Sequence, residues 1–157
     1  MKRPLIALFT ASLLALAAPA PSAFAEDKAA AQPARAAVSV EVKIILATGA
    51  AAAADPALAA NAAQLTKQFP QFKGFKQLSA SRQTLQTGQP ARFALPIPDA
   101  SLGLTLLGAE GGKYKLRMAM PGGSADTTSP DQGVFYVGGM PYNGGTLILA
   151  IRTVAVH

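Results

Sequence analysis

The sequence predicts an α+β domain: a mainly antiparallel sheet of six or seven strands with one helix after the first strand. Three stretches carry this expectation. Val38, Val40, Val42, Ile44 and Leu46 alternate with Ser39, Glu41 and Lys43, the period of a strand with one face on a core. Asp55 and Pro56 then open a helix, because Asp caps free backbone N–H groups and Pro in the first turn loses no hydrogen bond. The stretch from Gly133 to Val156 sets one apolar run, Val134 to Val137, against another, Thr146 to Ile151, across Gly138, Gly139, Pro141, Asn143, Gly144 and Gly145. Those residues tolerate or preset the dihedrals of a reversal, so the stretch reads as a hairpin. Its second run is apolar on both faces, which suits a central strand covered on both sides.

The remaining elements follow in order. The helix carries Leu58, Ala62, Leu65 and Phe69 as a narrow apolar stripe and closes before Pro70, while Ala50 to Ala54 reads as a loop. Phe72, Phe75, Leu78 and Leu85 among polar residues predict one or two further strands. Ala91, Phe93 and Leu95, bounded by Pro96 and Pro98, predict a short edge strand. Leu102, Leu104 and Leu106 alternate, GAEGG reverses the chain, and Tyr114, Leu116 and Met118 alternate again, which is a second hairpin. From Pro121 to Gln132 the chain is polar and rich in breakers, and is expected to be an exposed loop.

The chain of 157 residues opens on Met1, Lys2 and Arg3, runs through apolar residues from Leu5 to Ala18, and reaches Ala23, Phe24 and Ala25 before Glu26. A basic start, a hydrophobic middle and an Ala-x-Ala end predict a secretory signal peptide over 1–25, recognised at Ala23 and Ala25 and cleaved after Ala25. The apolar run falls short of the ~20 residues that span a bilayer. Residues 26–37 lack anything large to bury and read as an Ala/Pro-rich tether, which leaves 38–157 as a single domain. The leader points to the periplasm or the medium. Its removal takes Lys2 and Arg3 from 14 bases and nothing from 8 acids, lowering the net charge from +6 to +4.

Chemistry is harder to find. There is no Cys, which excludes disulfides, thiolate metal sites and Cys nucleophiles. The single His is His157, where a fraying end holds no catalytic geometry. The carboxylates fall at expected turns and caps, apart from Glu41 in mid-strand, and no spacing pairs them for catalysis. No helix follows the Gly pairs to complete a phosphate cradle. No cofactor or metal is therefore expected. Lys113, Lys115 and Arg117 lie on the outer face of one strand as a possible anion site, although exposed strands also carry such rows for solubility. Asp126 and Asp131 lack the close-set oxygen donors of a calcium loop, and with Tyr142 and Asn143 they mark possible interaction loops.

The order VEVKIILAT, DPALAANAAQL, FKGFKQLSAS and VGGMPYNGGTLILAIRT resembles small exported proteins of unassigned function from Gram-negative bacteria. The tail TTSPDQGVFYVGGMPYNGGTLILAI is similar in cadence to the secretin pore domain, whose other parts are missing, and that similarity implies an envelope setting. Together these readings predict an exported, non-enzymatic binding or accessory domain. It would engage an envelope protein or glycan, rather than nucleic acid, through a sheet edge or its Gly/Pro-rich loops. Two other readings stay open: a small hydrolase or lyase using Asp and Lys in a cleft, and a polyanion binder using the basic strand face.

Overall fold

A computed structural model describes residues 36–156. The expected leader, with Ala23 and Ala25, lies outside the described residues, as does most of the tether. The fold departs from the predicted α+β class. The described residues form a β-sandwich of eight strands in two antiparallel four-stranded sheets, with a single short α-helix. The strands are β1 (Ala37–Thr48), β2 (Gly74–Gln86), β3 (Pro90–Ala94), β4 (Ser101–Glu110), β5 (Lys113–Met120), β6 (Gly123–Pro130), β7 (Val134–Tyr142) and β8 (Gly145–Ala155). The first sheet has the order β2-β1-β8-β7 and the second β3-β4-β5-β6.

Alternation explains how the two sheets meet. Val38, Val40, Val42 and Ile44 of β1 and Leu147, Leu149 and Ile151 of β8 face Leu102, Leu104 and Leu106 of β4 and Tyr114, Leu116 and Met118 of β5 in one buried cluster. A strand buries alternate side chains whether its cover is a helix or another sheet, so the inward pattern is as expected and only the covering layer differs. The helical segment is also shorter than its stripe implies. Pro56–Leu58 forms one 3-10 turn, and α1 spans Ala62–Gln68. Asn61 stands between the two as the N-cap residue of α1, and its side chain bonds Tyr136.

This segment lies on the outer face of the first sheet and makes a second core there. Leu58 and Leu65, flanked by Phe69, Phe72, Phe75 and Tyr136, cover Ile45, Ala47, Ile148 and Ala150. Strand β8 is thus buried on both faces, and it lies between β1 and β7, as its sequence predicted. Among the described residues no helix is long and apolar enough to cross a membrane.

The expected loop from Pro121 to Gln132 is mostly strand. β6 pairs with β5 from Met120↔Gly123 to Lys113↔Pro130, and its one buried residue is Ser129. Ladder hydrogen bonds to a neighbouring strand, rather than apolar burial, hold it in place. At its end the Thr153 hydroxyl donates to the Pro130 carbonyl at 2.7 Å. Since a hydroxyl has one proton, Ser129 Oγ is the donor in its 2.7 Å bond to Thr153 Oγ1. Thr153→Val keeps the shape and removes both bonds. It should cost about 1 kcal/mol in urea unfolding, and adding Ser129→Ala should not recover the loss, because Ser129 Oγ keeps a partner in the Pro130 carbonyl at 3.3 Å.

Candidate functional site

The outer face of the first sheet is divided. One end lies under α1, whereas the other carries Glu41, Lys43 and Arg152, with Arg82 alongside on β2. Between the edge of α1 and these charges runs a groove of about 300 Å³, lined by Glu41, Lys43, Asn61, Gln64, Gln132 and Arg152. Val134 and Ala150 contribute its apolar surface.

Register creates the cluster. Glu41 stands opposite Arg82 on β2 and opposite Arg152 on β8, and Lys43 follows two residues along, on the same face. Arg82 takes Glu41, with Nη2 at 2.9 Å from Oε2. Arg152 turns the other way and donates from Nη2 to Gln132 Oε1 at 2.6 Å. Gln132 is held at φ 58° in the turn between β6 and β7. Lys43 makes no side-chain hydrogen bond or ion pair among the described residues. Three cations therefore share this face with one carboxylate, whose side chain is only 19% exposed.

The wall on the helix side is equally defined. Asn61 Nδ2 donates to Tyr136 Oη at 3.1 Å, and Tyr136 Oη donates to Gln64 Oε1 at 2.9 Å. Phe69 meets the Tyr136 ring edge-on, with centroids 6.3 Å apart. Gly138 makes room for that contact, since a Cβ there would stand 3.3 Å from Phe69 Cε1. The start of the helical segment is pinned by Asp55, whose Oδ1 accepts from the Ala57 N–H at 2.9 Å and whose Oδ2 accepts from the Gln77 N–H at 2.8 Å.

Those two bonds, the Gln77 one foremost, hold the Asp55 carboxyl below its ordinary value of 3.8. The stability they lend is complete above that value and is lost as pH falls through the lower folded-state value. Asp55→Asn should therefore flatten the acid limb of the stability curve below about pH 4, measured by thermal unfolding across pH 2 to 6. An unchanged slope would show that the pin carries no weight.

The residues singled out from sequence lie elsewhere. Lys113, Lys115 and Arg117 do share the outer face of β5, but Arg117 is clamped by Asp126 on β6, with Nε to Oδ1 at 2.8 Å and Nη2 to Oδ2 at 2.9 Å. This pair raises the affinity of Arg117 for its proton and lowers that of Asp126. Lys113 stands opposite Glu110 on β4, and Lys115 opposite Gly108 and Thr128. The row is thus partly neutralised by its neighbours. Asp126 is a strand residue, and Asp131 accepts from the Ala155 N–H at 2.7 Å. Tyr142 closes the β7–β8 pairing opposite Gly145 and packs against the sandwich core, while Asn143 occupies the turn at φ 45°. Asp126 and Asp131 thus lie on β6 and just beyond its end, and Tyr142 and Asn143 lie at the β7–β8 turn.

Sequence reasoning passed over the groove because Glu41 and Lys43 read as an ordinary solvent face. One signal was present: Arg152 interrupts an otherwise apolar run in a strand covered on both sides, which marks the point where the cover ends. Comparison of the chain with family models, curated proteins and solved structures finds no match.

Proposed function

We propose that this is a non-enzymatic binding domain of the cell envelope, and that its ligand seats in the groove between α1 and the open end of the first sheet. The observation that carries the reading is the groove's charge arrangement: among the described residues Lys43 has no side-chain partner and Arg152 keeps most of its donors free, beside a wall of side-chain amides. Unsatisfied cations on rigid strands, lining a concave surface, suit recognition of a ligand bearing negative charge. The leader, the tether and the resemblance to exported proteins support the envelope setting.

The use made of the carboxylates favours binding over catalysis. Glu41 pairs with Arg82, Asp126 pairs with Arg117, Asp55 pins the helical segment, and Asp131 holds the end of β8. Each accepts a structural bond, and general acid–base work asks instead for a carboxyl poised at a reacting group.

The sheet edges offer less than the groove. β7 carries a bulge between Gly138 and Met140 and includes Pro141, β3 is five residues long and begins at Pro90, β6 ends at Pro130, and the long edge β2 is bulged between Gln77 and Ser79. Bulges, prolines and short strands are the devices that discourage added strands.

The test is capture from envelope extract by three immobilised forms of the domain: the parent, Lys43→Glu with Arg152→Glu, and Lys113→Glu with Lys115→Glu. The parent and the β5 variant should retain the same material, and the groove variant should lose it. Equal capture by all three, or loss only in the β5 variant, would overturn the reading.

A further inference from the structure

The donors and acceptors of the groove narrow the chemistry of what it holds. Arg152 spends one of its guanidinium N–H groups on Gln132, leaving a planar fork of the kind that meets a carboxylate. Lys43 adds a second cation on the neighbouring strand, on the same face. Glu41 commits Oε2 to Arg82, and its Oε1 makes no other side-chain bond among the described residues, so it can accept from a hydroxyl. Gln64 and Gln132 each have their amide oxygen committed, to Tyr136 and to Arg152, and keep their NH₂ groups as donors.

A site with two cations, one free carboxylate oxygen and two amide donors asks for one negative group together with several hydroxyls, each able to donate and accept. Val134 and Ala150 provide a small apolar ledge against which C–H bonds can rest. Glu41 disfavours a densely charged dianion so close to the cations, which sets a carboxylate ahead of a phosphate. Resting on the binding reading above, we propose that the groove takes a carboxylated sugar unit, a uronic acid residue of an acidic glycan. Its carboxylate lies against Arg152 and Lys43, and its hydroxyls lie between Glu41 and the amides of Gln64 and Gln132.

Titration calorimetry at low salt on the domain, with oligogalacturonate, neutral oligogalactose and oligoglutamate as probes, tests this. Oligogalacturonate should bind, and the neutral oligomer should bind at least about tenfold more weakly, the factor expected for a lost charge-assisted contact. Arg152→Gln and Lys43→Met should each weaken the acidic sugar about tenfold, whereas Lys115→Met should leave it unchanged. Circular dichroism of each variant shows whether the fold is retained. Neutral sugar bound as tightly as acidic sugar overturns the inference, as do tighter binding of oligoglutamate and no binding of oligogalacturonate. The groove as a binding seat still stands in those cases if envelope capture depends on Lys43 and Arg152, and it falls only if that dependence is also missing.

Discussion

Truncating Leu149 to Ala is expected to cost ~2–5 kcal/mol, and truncating its neighbour Ile148 to cost a similar amount. Adjacent residues of a strand point to opposite sides of the sheet, so a strand covered on one side tolerates every second substitution. β8 is covered on both. Leu149 faces the second sheet and Ile148 lies beneath Leu65 and Phe69, and both are 0% exposed. Each truncation leaves a cavity that close-packed neighbours fill only in part. A domain of this size has only ~5–15 kcal/mol in total, so either loss should be plain in a urea midpoint. Ile148→Ala should also loosen α1, read as faster hydrogen exchange at Leu65 and Phe69. A cost below ~1 kcal/mol for Ile148→Ala would mean that the helical segment does not cover the sheet.

The second large effect is expected at Gly145. Gly145→Ala should cost more than Gly144→Ala, although only Gly144 has a left-handed backbone, at φ 74°. A Cβ on Gly144 meets open space, so the cost there is backbone strain of ~1 kcal/mol. A Cβ on Gly145 collides with the Ala47 carbonyl oxygen and stands 2.9 Å from Leu46 Cδ1. That carbonyl belongs to β1 where β1 pairs with β8, so relief means shifting the ladder rather than a side chain. Overpacking of this kind costs ~3 kcal/mol. Thermal unfolding of the two variants decides the order, and equal destabilisation would contradict the close approach of β8 to β1.

Where a strand buries one face, its residues declared it. β1, the β4–β5 hairpin and the inner residues of β8 were legible because apolar and polar side chains alternate through them. The number of sheets was not legible, since Leu104 and Leu116 look the same beneath a helix as beneath another sheet. The narrow stripe of Leu58, Ala62, Leu65 and Phe69 held a clue, because it is too small to cover every inward residue of six or seven strands. β6 was missed for a different reason. Its residues Gly123–Pro130 bury only Ser129, so nothing in their composition distinguishes a ladder-held strand from a loop. The groove was hidden by register, which brings Glu41, Arg82 and Arg152 side by side from positions far apart in the chain.

Amide and side-chain shift mapping with ¹⁵N-labelled domain and an acidic oligosaccharide is the most direct measurement. The groove account predicts saturable shifts gathered at Lys43, Asn61, Gln64, Gln132 and Arg152, with β5 silent. Shifts gathered at Lys113, Lys115 and Arg117, or spread evenly over the basic surface, would contradict it.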